Sequence, residues 1–228
     1  GGANSPAAFW QLLRDGRDAV TTVPPDRWDA DAYWAADREA PGRMVSRCGG
    51  FVENLDGFDA AFFGISPREA ACMDPQQRWL LEVAYEAVED AGISLDDVRG
   101  SNTGVFIGIS ISDYGQLQMR STGGLDPHTM SGGALSIAAN RISYAFDLRG
   151  PSLAVDTACS SSLTALHLAC QSLWRGECDL ALVGGVNALL SPETTIGFSR
   201  AGMLSPTGRS RVFSAGADGY VIKDVRGV

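Results

Sequence analysis

The residue types best suited to covalent chemistry meet in one short stretch, "VDTACSSSLTALHL", from Val155 to Leu168. An apolar run stops at Asp156, a thiol follows at Cys159, serines come next, and a helical pattern begins at once. This order predicts a strand-to-helix junction with the sulfur at or just before the helix start. Unpaired amides and the helix dipole point there and favour negative charge on the sulfur. The same amides could steady an oxyanion forming on an attacked carbonyl. Small neighbours (Ala158, Ser160 and Ser161) leave room for a substrate. The competing reading is a small core residue, the usual fate of a lone cysteine in an α/β protein.

A thiol nucleophile raises the question of its base. The chain has only two histidines. His167 lies eight residues further along the same predicted helix. That is roughly 12 Å of rise, beyond hydrogen-bond reach, so it reads as a satisfied helix histidine. His128, in "LDPHTMSGG", falls in a loop and is the one candidate base for a cysteine hydrolase. The remaining cysteines, Cys48, Cys72, Cys170 and Cys178, read as core residues. Their number with Cys159 is odd and no pair has C-x-x-C spacing, so neither a disulfide framework nor a metal site is expected.

The elements that would hold such a thiol are legible around it. "NSPAAFWQLLRDG" predicts a helix capped by Ser5, with Pro6 in its first turn and Gly16 at its end. Residues 18–57 predict irregular structure, with Trp28 and Trp34 anchoring a long loop. "MDPQQRWLLEVAYEAVEDAGI" predicts a helix capped by Asp74, started by Pro75 and ended by Gly92, with Gln77 completing a capping box. "TGVFIGI" predicts a strand buried on both faces. "SGGALSIAANRISYAF" predicts one further helix and "SLAVD" a strand. "SSLTALHLACQSLWRG" predicts a helix whose inner side carries Leu163, Leu166, Cys170, Leu173 and Trp174. "DLALVGGV" predicts another strand, with its paired glycines serving close helix–strand packing rather than phosphate binding. Helices alternating with continuous apolar strands indicate an α/β layered fold with a buried sheet between helices.

Composition narrows the function classes. The chain has 228 residues, 45% of them hydrophobic, enough for a sizeable core. Its net charge of −9 and lack of a basic stripe argue against nucleic-acid binding. No glycine-rich phosphate loop is present, and "GISIS" only half resembles a serine elbow. The longest apolar stretch, "LALVGGVNALL", is too short for a bilayer, and no basic-then-apolar leader opens the chain. These features predict a soluble cytoplasmic protein without a membrane or nucleic-acid partner.

"DTACSSSLTALHLACQSL" resembles the active-site segment of β-ketoacyl synthases, specifically the ketosynthase domains of type I polyketide synthases. "FDAAFFGISPREAACMDPQQRWLLEVAYEAVEDAGI", "NTGVFIGIS", "ALSIAANRISYAFDLRGPS", "CDLALVGGVNALLSPE" and "FSRAGMLSPTGRSRVFSAGADGYV" resemble further segments of that family in order. The resemblance implies a thiolase-like fold, incomplete relative to the family, with residues 1–221 as the N-terminal part of a ketosynthase domain. Residues 222–228, "IKDVRGV", depart from the family pattern as a tail. It further implies Cys159 as acyl acceptor, fed by phosphopantetheine on an acyl carrier protein, with no cofactor or metal bound directly. Expected partners are that carrier protein, a second copy in a homodimer, and neighbouring synthase domains such as an acyltransferase. The two family histidine segments, of the types H-G-T-G-T and K-S-N-I-G-H, are not in this sequence, and His128 and His167 match neither. The family's first core strand is likewise not found ahead of "GGANSP". The resemblance therefore implies that this chain alone does not condense. A scaffold that keeps only the dimer surface is the alternative.

Overall fold

The computed structural model describes residues 2–228, apart from the side chain of Thr122. The chain divides into two compact units, residues 1–55 with 189–224 and residues 56–188 with 225–228.

The first unit opens with α1 (Pro6–Arg14). Ser5 Oγ accepts from Ala8 N at 3.1 Å, Pro6 starts the helix, and Gly16 takes a left-handed φ of 61° after its end. β1 (Thr21–Thr22) pairs antiparallel with β2 (Cys48–Gly49), and α2 (Ala30–Tyr33) lies between them in sequence. Trp28 is buried against Phe51, edge to face at 6.2 Å, and anchors this irregular stretch in a core with Met44, Val45, Leu189, Leu204 and Ile222. Trp34 is exposed, with the Arg47 guanidinium 4.7 Å from its ring. Its Nε1 donates to the carbonyl of the core residue Val45 at 3.2 Å, so it ties the loop to the core from the surface.

The second unit carries α3 (Pro67–Cys72), α4 (Pro75–Asp90), α5 (Leu95–Val98), β3 (Thr103–Gly108), α6 (Asp113–Met119), α7 (Thr129–Gly133) and α8 (Ile137–Ala145). β4 (Ser152–Val155), α9 (Ser161–Trp174) and β5 (Leu180–Asn187) follow. α10 (Glu193–Arg200) belongs to the first unit, and β6 (Val225–Gly227) closes the sheet of the second. The strand order is β4-β3-β5-β6. β3 runs parallel to both neighbours, and β6 is antiparallel to β5. All six residues of β3 are buried. Phe106 packs on Ala165 and Ala169 of α9, while Val105 and Ile107, alternating with it, are fully buried toward the other face. There α8 touches β3 and β4, and α4 touches β5 and β6. The predicted buried sheet between helices is present.

Three local expectations are corrected. Gln77 makes no capping box. Its amide donates to the carbonyls of Ser131 and Gly132 and its Oε1 accepts from Arg141, while Asp74 N donates to Gly132 O. The helix expected through residues 131–146 is broken at Ala134, whose backbone is extended. At the break the Ala134 carbonyl accepts from the Gln77 amide at 3.3 Å, and within α7 Gly132 lies so close to the Cys72 carbonyl that a Cβ would stand 1.9 Å from it. Finally, α9 buries Ser161, Ala165, Ala169 and Ser172, not its large residues. Leu163 and Trp174 are 71% and 81% exposed, Leu166 and Leu173 are exposed too, and Cys170 is only half-buried. Close approach to a glycine-bearing sheet selects the small side of the helix. Of the four cysteines expected in the core, Cys178 alone is fully buried.

Candidate active site

β4 ends at Val155 and α9 begins at Ser161; a single 3-10 turn, Ala158–Ser160, joins them and carries Cys159. The thiol is exposed. Ala158 has φ 54°, a left-handed conformation that costs a Cβ-bearing residue about 1–2 kcal/mol. Surrounding hydrogen bonds hold it there. Ala158 N donates to Asp156 Oδ1 at 2.9 Å, and Ser161 Oγ donates to the Ala158 carbonyl at 2.6 Å. Ser161 Oγ also accepts from Thr157 N at 2.9 Å. Ser160 Oγ turns back to the Thr157 carbonyl at 2.9 Å, and Thr157 Oγ1 meets Thr164 Oγ1 at 3.0 Å.

The helix start is seated on bare strand. Gly108 and Gly185 are cross-strand partners of β3 and β5. A Cβ on Gly108 would stand 2.5 Å from Ser162 N and 2.7 Å from Ser161 C, and one on Gly185 would stand 2.9 Å from Ser162 Cβ. Gly184 is crowded from β6 by the Gly227 carbonyl at 2.6 Å. The glycines of "LVGGVN" thus serve close packing, as expected. Ser160 places no side-chain cap on α9, and no acidic residue occupies its first turn. The carboxylate nearest in sequence, Asp156, is held by Ala158 N one residue before the sulfur.

Neither histidine is brought to the thiol. His167 is exposed on α9, its Nε2 2.9 Å from Gln171 Nε2. His128 precedes α7, its backbone N donating to Asp126 Oδ1 at 2.9 Å. Among the described residues, no side chain hydrogen-bonds Cys159 Sγ, and no group of three His, Cys, Asp or Glu is placed to hold a metal ion. The left-handed Ala158 and its Ser161 clamp escaped the sequence reading; the short run of hydroxyl residues was their only trace.

A second polar cluster organises the loops of this unit. Asp74 accepts from Gln76 N at 2.9 Å, from Gln76 Nε2 at 3.2 Å and from Ser112 Oγ at 3.1 Å. Burial pushes its carboxyl above the ordinary carboxylate range, although these Gln76 and Ser112 bonds pull it back; the Asp113 carboxylate adds to the upward push. Gln76 also donates to the Ile111 carbonyl and accepts from Ala188 N. In the first unit, Asp224 accepts from Leu189 N, Val52 N and Arg27 at 2.8, 3.0 and 2.9 Å. Burial raises its carboxyl as well, against the pull of the Leu189 amide, Arg27 and the Val52 amide. No helix among the described residues is long and apolar enough to cross a membrane.

Residues 1–227 match the family model of the β-ketoacyl synthase N-terminal domain. The whole chain is 54% identical to a region of one phenolphthiocerol/phthiocerol polyketide synthase polypeptide of Mycobacterium tuberculosis, and spans 15% of that protein. Over 97% of the chain it is also 54% identical to a second polypeptide of the same synthase and organism, spanning 12% of it. Among solved structures, the oxazolomycin ketosynthase domain OzmH KS7 of Streptomyces albus JA3453 superposes with a TM-score of 0.88 at 42% identity. That match covers 96% of this chain and 39% of the ketosynthase. The ketosynthase from module 6 of the bacillaene synthase of Bacillus subtilis 168 gives 0.87 at 38% identity, covering 97% of this chain and 36% of that one. The chain spans a minor share of every relative named here. Its fold is thiolase-like, and it belongs to the β-ketoacyl synthase family as an N-terminal ketosynthase portion of the polyketide synthase type.

Proposed function

We propose that this chain supplies the acyl-accepting half of a polyketide β-ketoacyl synthase, with Cys159 as the nucleophile. The Cys159 sulfur attacks the acyl carbonyl of a carrier-protein phosphopantetheine thioester. A new carbon–sulfur bond forms, and the pantetheine thiol leaves with the proton that Cys159 gave up. A malonyl-type extender on a second carrier arm then loses carbon dioxide. Its enolate carbon attacks the Cys159 thioester, a carbon–carbon bond forms, and the cysteine sulfur leaves and regains a proton. The observation that supports this reading is the exposed thiol on a strained turn, beside the uncapped start of α9. Backbone amides at such a helix start suit the oxyanion that forms on the attacked acyl carbonyl.

The decarboxylation step needs groups that these residues do not contain, since His128 and His167 lie in neither family histidine segment. Condensation is therefore assigned to the complete ketosynthase, in the cytoplasm, with this chain alone inactive in that step. The expected partners are an acyl carrier protein, flanking synthase domains such as an acyltransferase, and a second copy. Residues 1–221 form the ketosynthase portion, and residues 222–228 a tail of distinct pattern that completes two networks, through Asp224 and through β6. The exposed outer edge of β4, where Leu153 is 45% exposed, suits the two-fold contact and also supports a scaffold role without condensation.

The test is to incubate the parent polypeptide with an acyl-pantetheine thioester and map the adduct by mass. The expected result is acylation at Cys159, abolished in Cys159→Ala. An adduct on another cysteine with Cys159 unmodified refutes the assignment. Acylation without any condensation by the intact parent protein favours the scaffold reading.

A further inference from the structure

We propose that Ser161 is a positioning residue for Cys159, its hydroxyl holding Ala158 in the left-handed conformation that presents the thiol. The proposal rests on the reading of Cys159 as acyl acceptor and adds to it the device that aims the sulfur. Ser161 is buried, at 6% exposure, whereas the serine before it and the one after it are exposed. Its Oγ bridges the turn, accepting from Thr157 N and donating to the Ala158 carbonyl. The peptide unit before Thr157 and the one after Ala158 are thereby tied to one oxygen that belongs to the first residue of α9. That oxygen is fixed in turn, because the Ser161 backbone presses on the Cβ-less Gly108.

The energetic logic is local. Alanine at φ 54° is disfavoured against its ordinary backbone regions, and the two Ser161 bonds oppose relaxation. Without them the left-handed conformation is held by fewer bonds, and its relaxation would shift Cys159 from its place beside the helix start. Asp156 holds the Ala158 N–H, the Ser161 backbone N–H reaches the Ala158 carbonyl, and the Ser161 hydroxyl adds a second bond to that carbonyl. The Ser161 hydroxyl is the side-chain group that links the Thr157 amide to the Ala158 carbonyl, and glycine at position 158 is the change that makes that link unnecessary.

The experiment uses the parent polypeptide and four forms: wild type, S161A, A158G and the A158G/S161A double variant. Saturating and second-order rates of Cys159 acylation by an acyl-pantetheine thioester are measured beside thermal midpoints. S161A is expected to lower the maximal acylation rate roughly tenfold with little change in half-saturation, the scale set by the cost of a left-handed alanine. In the glycine background the same serine-to-alanine change is expected to alter the rate less than about threefold. A purely structural serine would lower the thermal midpoint equally in both backgrounds and show no such rescue. The proposal is overturned if folded S161A acylates at the wild-type rate. It is equally overturned if the double variant is tenfold slower than A158G, a comparison that holds even where S161A alone does not fold. Absence of Cys159 acylation in the wild type would instead sink the acyl-acceptor reading itself.

Discussion

Gly108→Ala tests whether the bare strand beneath α9 sets the position of the thiol. The backbone at Gly108 is not left-handed, so the effect is one of space alone. The added methyl would stand 2.5 Å from Ser162 N, and ordinary contact begins near 3.4 Å. The helix start or the strand must therefore give by about 0.9 Å, the difference between those two distances. Both are backbone, and β3 is held between β4 and β5, so neither gives easily. Overpacking of this kind costs about 1–3 kcal/mol of stability. A displacement near 1 Å at a reacting group costs on the order of 10²-fold in rate. The assay pairs urea unfolding of the ketosynthase with the rate of Cys159 acylation, and uses iodoacetamide alkylation as a measure of mere thiol access. The expected pattern is a modest loss of stability, a large loss of acylation and a small change in alkylation. Unchanged stability with wild-type acylation would refute the seat as the determinant of thiol position.

Three further outcomes follow from other sites. Asp224→Ala leaves the Arg27 guanidinium, 3% exposed, without its 2.9 Å partner. It should destabilise by about 3–5 kcal/mol, read as a drop in the urea midpoint. Burial raises the Asp74 and Asp224 carboxyls, so the folded state holds those protons more tightly than the unfolded chain. Their contribution is then largest below the ordinary carboxylate value and falls as pH rises through the raised values; Asp224→Asn should flatten that part of the stability–pH curve. Residues 1–228 expressed alone should bind an apolar dye through the exposed Leu163 and Trp174, and a Leu163→Glu/Trp174→Glu variant should reduce dye fluorescence about threefold.

Much of this architecture is legible in the residues alone. Ser5, Pro6 and Gly16 mark α1, Asp74, Pro75 and Gly92 mark α4, and the unbroken apolar run of β3 announces a strand covered on both faces. These signals are local, and the chain obeys them. The features that differ depend on distant partners. Gln77 is spaced to cap its own helix, but the carbonyls of Ser131 and Gly132 take its amide. The helix through residues 131–146 breaks at Ala134, whose carbonyl turns to the amide of Gln77 on α4. α9 turns its small residues inward because Gly108 and Gly185 let it approach, and size alone points the other way. At the site, the strand–thiol–helix order locates Cys159, but a left-handed alanine has no sequence signature of its own.

The paired glycines under α9 carry one more consequence. They leave a notch two strands wide, and the depth of that notch fixes how high the sulfur rides above the sheet. Redesigning what the thiol can reach would therefore begin with the floor beneath it, where one added methyl acts as a shim, before any wall of a substrate channel is altered.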